Sequence, residues 1–561
     1  MGALRKRWPT LVAIALIALH GAMLLASARK NSVAYDEFAH LPAGLAYLKY
    51  REFSVYNLSP PLLRMWGAWP AWLAGPEIPH PQRYRDFSAR IRGWLYAWDF
   101  GRANAARYPQ LVFLGRLPMI ALSMAGAWLV FSWSRKWYGD AGAVLSCAMY
   151  ALDPNFAAHG SILGTDVGFA IAVLVALRCW IGFSQNPTPR HALVASAMIA
   201  LAHCCKTSAL LLWPILPVVF IITRWGQPKR WTDALAGIGL SLILTWVAIN
   251  ASYGFWKPFQ PLGSFQFESR RMNWIQRILP YRMPVLLARD FVRGFDAQKF
   301  EADGAYSTWM LGKVGDVPSP IYYTVTMGVK TPLATMALIL VALLWRLKSD
   351  PLRREEWALL AAIVLMFLGL TLLMHINLGL RYMLPIYPAM FVLCGRLLRP
   401  FSIPRAIVAS VLVVALAIEG AGACRRYFEF FNLIGGGTGN GYRIVSDSNF
   451  DWGQSLIDLR DWQQRNGGVR VDLAYHGRAD PAWYGINYSP LIEPGGSKYV
   501  AISQMFLTET PLHMATPNGT TPFITLAGAR KLLDTKPLAK AGSIFIFERS
   551  VYEATHVEMK Q

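Results

Sequence analysis

Tyr35-Asp36-Glu37-Phe38-Ala39-His40 comes shortly after the apolar run Trp8 to Ala28, and its setting decides how the rest of the chain is read. A run of about 20 apolar residues is long enough to cross a bilayer. The basic cluster Arg5-Lys6-Arg7 in front of it marks a cytoplasmic end. The acidic pair, with a histidine three residues on, then stands where the membrane meets the water outside. Ala26-Ser27-Ala28 has the look of a cleavage site, but the length of the run favours a retained first helix.

The rest of the composition agrees with a membrane setting. Of 561 residues, 54% are hydrophobic and only 16% charged, against about a quarter charged in soluble domains. Mean hydropathy is +0.30. The 22 Trp and 23 Tyr suit interfacial belts. A net charge of +22 raises nucleic acid as a partner. That reading is set aside, because Lys and Arg cluster in short loops between apolar runs, where they follow the positive-inside pattern and suit anionic lipid head groups. The six cysteines, Cys147, Cys179, Cys204, Cys205, Cys394 and Cys424, lie in or at the ends of apolar segments without metal spacing. They read as small core hydrophobes.

The pattern predicts a polytopic α-helical membrane protein of about eleven spans, near 8–28, 108–133, 141–157, 167–184, 191–204, 207–223, 233–252, 321–345, 357–374, 383–398 and 404–423. Residues 29–107 and 253–320 become outer loops. Basic residues fall in every expected inner loop: Arg135-Lys136, Arg190, Arg224 with Lys229 and Arg230, Arg346 with Lys348, Arg353 and Arg354, and Arg396 with Arg399 and Arg405. The N-terminus is thereby placed inside and the C-terminus outside. Residues 1–424 form the membrane module. Residues 425–561 read differently. Val469 to Tyr475 and Ser543 to Phe547 have strand character, and Ser455 to Gln464 has helical spacing before Gly467-Gly468. The expectation is a small α/β domain outside the membrane.

Ionisable groups at membrane depth are costly and are functional candidates by default. Asp36, Glu37 and His40 are the first. His159 and Asp166 follow on the same expected side, and the cations Lys206, Lys330 and Arg381 converge there. Lys330 precedes Thr331-Pro332, a kink signal; its bland alternative is a salt bridge to Glu419. Lys and Arg suit a lipid-borne phosphate, and a carboxylate suits the proton of an incoming hydroxyl. A divalent metal between carboxylates and phosphate, with Asp36 and Asp166 as its ligands, is left open, since no sequence feature requires it. Asp447, Asn449, Asp451, Trp452 and Gln454 stand near a strand-to-helix turn, where an Asx-type turn with a packed Trp is the alternative. His476-Gly477 reads as a turn.

These stretches carry a resemblance. Tyr35 to Gly44 with Pro60-Pro61-Leu62 resembles the first outer loop of the protein O-mannosyltransferase-like membrane glycosyltransferases of GT-C type, a group that includes the aminoarabinose transferases of lipid A. His159 to Asp166, Lys206-Thr207-Ser208, Lys330 to Leu333 and Asn377 to Pro388 resemble later motifs of that group, in the same order. Tyr427 to Tyr442 and Asp447 to Gln454 resemble the tail of a bacterial subset. The resemblance implies a GT-C fold and a polyprenyl-phosphate sugar as donor. It implies Asp36 as base or acceptor-orienting carboxylate, with Glu37 and Asp166 shaping the site or holding a metal. It also implies Lys206, Arg381 and Tyr382 near the carrier phosphate. Ser59 stands where many relatives have histidine, which puts metal dependence in further doubt.

The expected function is transfer of a sugar, with inversion, to a hydroxyl of an envelope lipid, glycan or protein at the outer face of a bacterial inner membrane. The partners are lipids and not nucleic acid. A flippase for lipid-linked glycan and a non-catalytic envelope scaffold are the rival readings. The first should show inverted repeats, which the sequence lacks.

Overall fold

The computed structural model describes residues 2–227, 231–303, 307–315, 319–344, 351–373 and 376–560, and for residues 2–6 and 90 the backbone alone. The basic residues Lys229, Arg230, Arg346 and Lys348 expected in inner loops, and His375, lie outside the described residues.

Each apolar stretch of the sequence forms helix. Among the described residues, six helices are long and apolar enough to cross a membrane, and a bent pair makes up to seven. The chain is an integral membrane protein. The first helix is Gly2–Lys30. The stretch expected as two spans, 108–133 and 141–157, is one run of helix, Tyr108–Leu152, broken at Gly139. There φ is +79° and ψ −170°, a conformation that glycine adopts without the Cβ penalty other residues meet. Asp166–Gln185, Trp231–Ser252, Arg354–Leu373 and Ile403–Gly422 are further crossing-length helices. Pro189–Cys205, Thr207–Thr223 and the pieces between Leu380 and Leu398 are helical but shorter. Tyr322–Lys330 and Leu333–Leu344 meet at 105°. The break falls on Thr331-Pro332, where proline removes a backbone donor. The freed N–H groups of Leu333 and Ala334 are taken up by the Glu419 carboxylate at 2.9 and 3.2 Å. Glu419 is therefore a helix cap and does not pair with Lys330.

Of the cysteines, Cys147, Cys204, Cys205 and Cys394 are buried as expected of small apolar residues, Cys179 is half-buried, and Cys424 is exposed.

Beyond Gly422 the chain changes character. A five-stranded mixed sheet runs in the order Ala539–Ala541, Ile544–Glu548, Tyr499–Ser503, Val471–Ala474, Tyr488–Pro490. Val471–Ala474 is parallel to both of its neighbours, and Ile544–Glu548 is antiparallel to both of its own. All four residues of Val471–Ala474 are buried, as a central strand requires. The helix Leu456–Arg465 packs against the edge strand Ala539–Ala541 and ends before Gly467-Gly468, both with positive φ.

The segment between the last apolar helix and this sheet is no simple linker. It is bonded into the loop that follows the first helix. Ser32 N–H donates to Gln454 O at 2.9 Å and Tyr35 N–H to Trp452 O at 2.9 Å. The Ser32 hydroxyl donates to Gly453 O and accepts from Leu456 N–H. Val33 N–H donates to the Tyr484 hydroxyl. The residues in front of Asp36 are thus held from the far end of the chain.

Candidate active site

A cavity of about 1040 Å³ opens where this tail meets the ends of the helices. Asp36, His40, Lys206, Arg381, Tyr382 and Asp447 line it, alongside Tyr35, Trp94, Trp452, His476 and Arg478. Each charged group sits at a helix end or break. Asp36 occupies the cap position of the helix Glu37–Tyr50. Asp166 is the first residue of the helix Asp166–Gln185. Lys206 follows Pro189–Cys205 in extended conformation. Arg381 lies on the turn after Gly379, whose φ is +81°.

Together they form a row of alternating charge. Arg381 Nη1 is 2.6 Å from Asp36 Oδ2 and 4.0 Å from Asp166 Oδ2. Lys206 Nζ is 2.5 Å from Asp166 Oδ1. Both cations also face aromatic rings: Arg381 Cζ is 4.3 Å from the Trp452 ring centre, and Lys206 Nζ is 4.1 Å from that of Tyr382. Of the two carboxylates, Asp36 is the accessible one, with a side chain 26% exposed against 5% for Asp166. Asp166 does not line the cavity; it sets the two cations from behind.

Arg381 is aimed by its neighbours. Its Nε donates to Leu378 O. The turn is fixed by Leu380 N–H to Asn449 Oδ1 at 2.9 Å, Gly379 N–H to the Tyr322 hydroxyl at 3.0 Å, and the Ser448 hydroxyl to Leu378 O at 2.9 Å. A Cβ on Gly379 would run into Ser448 Oγ. Tail residues therefore position a cation of the membrane part.

Several expected site residues lie elsewhere. Glu37 is 1% exposed and faces away from the cavity. Its two oxygens accept from Arg116 Nε and Nη2 at 2.8 and 2.6 Å, and from the backbone N–H groups of Leu163 and Ala34. A carboxylate with four donors on it has no capacity left for proton transfer, so Glu37 is corrected from catalytic to architectural. Arg116 also gathers the carbonyls of Ala28, Asn31 and Ser32 at the end of the first helix. Lys330 does not line the cavity; its Nζ donates to Phe428 O and Asn449 O at 2.9 and 2.7 Å. It ties the tail to the membrane part instead of holding a phosphate. His159 is buried edge-on to Phe428 and Trp452, outside the cavity wall. Asp451 accepts from the Ser543 hydroxyl, Met505 N–H and Gly453 N–H, the Asx-type turn that was its alternative.

His40 does line the cavity, with Nδ1 3.0 Å from Leu163 O. Burial, and next the Arg64 charge, push its pKa down to about 4, so it is neutral at physiological pH. Asp447 has φ +58°, rare for a residue with a side chain, and its buried Oδ2 has no hydrogen-bond partner. Burial pushes its pKa up to about 6, with the Arg381 charge acting against it.

The donor set does not fit a metal. Among the described residues no group of three His, Cys, Asp or Glu side chains could hold one. Asp36 and Asp166 have a guanidinium between them, and Asp166 an ammonium as well.

Sequence reading overlooked Arg116, Trp94 and Arg478. An arginine inside an apolar span is a signal in itself and could have flagged Arg116. Trp94 and Arg478 carry no such mark.

Residues 111–252 match the family model of the dolichyl-phosphate-mannose-protein mannosyltransferases, the kind of family that the outer-loop motifs resemble. The matched stretch contains Asp166 and Lys206 but not Asp36, Arg381 or the tail. No curated protein matches the sequence. Among solved structures, the chain is similar to ArnT from Cupriavidus metallidurans in the apo state, at 14% identity and a TM-score of 0.46 over 74% of this chain and 64% of that one. It is similar to the same protein bound to undecaprenyl phosphate, at 11% identity and a TM-score of 0.47 over 95% and 97%. It is also similar to the apo oligosaccharyltransferase of Archaeoglobus fulgidus, at 12% identity and a TM-score of 0.44 over 76% and 56%. In the first and third of these matches the chain spans less than two thirds of the other protein.

Proposed function

We propose that this protein is a glycosyltransferase that moves a sugar from a polyprenyl-phosphate donor to a hydroxyl of an envelope lipid, glycan or protein. The observation that carries the reading is the pair Arg381 and Lys206, set side by side on a cavity wall and flanked by the accessible carboxylate of Asp36. The family match over residues 111–252 supports it. The chain crosses the membrane about eleven times, N-terminus inside, and residues 425–561 form an α/β domain at the outer face with the cavity beneath it.

Arg381 and Lys206 hold the carrier phosphate, and Tyr382 backs them. Asp36 accepts the proton of the acceptor hydroxyl as its oxygen bonds to the anomeric carbon. The bond from that carbon to the phosphate oxygen breaks on the opposite face, and polyprenyl phosphate leaves with its charge stabilised by the two cations. Attack opposite the leaving group inverts the anomeric centre. No step passes through a metal.

Turnover of a panel of labelled polyprenyl-phosphate sugars by the purified protein tests the reading. Asp36→Asn is expected to lower turnover at least about a hundredfold, the scale of general-base catalysis, and chelator to leave it unchanged. Equal turnover by both proteins would remove Asp36 from the mechanism. Movement of lipid-linked sugar across proteoliposomes without turnover would favour a transporter.

A further inference from the structure

Arg478 also lines the cavity, at the wall formed by the tail. Arg478 has its Cζ 4.8 Å from the Tyr35 ring centre and 4.6 Å from that of Trp94. One Nη donates to the Thr520 hydroxyl at 3.2 Å. Its Nε is buried with no hydrogen-bond partner, and the Tyr35 hydroxyl is the other polar group beside it. His476 stacks on the other neighbour of this cluster, the Tyr35 ring, at 5.2 Å, and its Nδ1 is likewise buried and unpartnered. His513 lines the same wall, with Nδ1 bonded to Thr521 O.

Arg381 and Lys206 differ from this group in that each is paired with a carboxylate, Asp36 or Asp166. A guanidinium locked between two rings is preorganised, but cation–π contact leaves its unused N–H groups dry. An unpaired buried donor on a charged group is costly until an acceptor meets it. Burial and the Arg478 charge hold His476 neutral, with a pKa near 3, so its ring adds a hydrogen bond without repelling a cation. We propose that Arg478, with His476 and His513 beside it, forms a second anion-binding pole that takes a carboxylate or phosphate group carried by the hydroxyl-bearing substrate. The inference rests on the glycosyltransferase reading for which substrate that is. Tyr35, under Arg478, and Asp36, bonded to Arg381, are consecutive residues. An anion at Arg478 therefore lies in the same cavity as the Asp36 carboxylate.

The test uses the full chain in phosphatidylcholine nanodiscs, labelled with ¹⁵N-histidine, with the His476 signal assigned by His476→Gln. Glycerol phosphate is titrated, and undecaprenyl phosphate binding is measured on the same samples. A saturable shift of the His476 signal is expected in the wild type. Arg478→Gln should weaken it at least about tenfold, as loss of a charged hydrogen bond does. Arg478→Lys should keep part of it, and carrier binding should stay within about twofold in both. The same shift on replacing phosphatidylcholine by phosphatidylglycerol, without soluble ligand, assigns the anion to a lipid head group; a shift with glycerol phosphate alone assigns it to a non-lipid substrate. No shift in the wild type, an undiminished shift in Arg478→Gln, or an equal loss of carrier binding in that variant would overturn the proposal. If the carrier does not bind while glycerol phosphate still shifts His476, the anion pole stands and the donor reading falls.

Discussion

Arg381 Nη1 sits 2.6 Å from Asp36 Oδ2, so the proposed base and the proposed phosphate clamp are held by one another before any substrate arrives. The contact sets the direction of the Asp36 carboxylate, which lines the cavity. Arg381→Lys keeps the charge but loses the planar fork. It should weaken undecaprenyl phosphate binding about tenfold or more and lower turnover further. Carrier binding and turnover, measured side by side on that variant, check both effects.

Glu37 and Arg116 make a prediction of the opposite kind. Both are 1% exposed and paired at 2.6 Å. Removing one partner of a buried pair leaves a bare charge and costs about 3–5 kcal/mol. Glu37→Gln should therefore unfold or fail to accumulate, and adding Arg116→Met should not rescue it, because the buried carbonyls of Ala28, Asn31 and Ser32 then lose their donors as well. Thermal unfolding in detergent of the single and double variants distinguishes this from a catalytic defect.

These two neighbours in sequence, Asp36 and Glu37, show how far the chain could be read beforehand. Charges in an apolar sequence stand out, and so Asp36, Asp166, Lys206 and Arg381 were legible as a group, as were the helical stretches. What could not be read is which buried charge is already satisfied. Glu37 is answered by Arg116 and Lys330 by the carbonyls of Phe428 and Asn449, and each partner lies far along the chain. The weave of the tail into residues 32–35 was also hidden, because backbone hydrogen bonds between loops leave no periodicity. Arg478 and Trp94 stayed silent for the same reason, as ordinary residues of irregular segments.

Asn449 acts through Arg381. Its side chain accepts from Leu380 N–H and donates to the Tyr322 hydroxyl. Asn449→Ala should raise the donor KM and lower kcat together, with unfolding shifted by roughly 1–3 kcal/mol for the donors left unpaired. A kinetic profile equal to wild type at the same loss of stability would limit Asn449 to packing.

Glu429 is 2% exposed, and burial pushes its pKa up to about 8. Because the folded state binds the proton more tightly than the unfolded chain, stability is greatest below the ordinary glutamate range and falls as pH rises through about 8. Glu429→Gln removes that dependence. It should leave unfolding near pH 4.5 almost unchanged and stabilise the protein at pH 9 by a few kcal/mol. Melting curves at the two pH values measure the difference.

The hydrogen bonds from Ser32 and Tyr35 to Trp452 and Gln454 bear on how the protein is made. The loop in front of Asp36 is held by Arg116 and, in addition, by segments translated more than four hundred residues later. Until then the nascent chain lacks a finished site, however completely its helices have inserted. Synthesis halted after residue 424 would leave a membrane-embedded chain without the tail that fixes the Asp36 loop and the Arg381 turn. Completion of the tail is thus the step that closes the structure around Asp36 and Arg381.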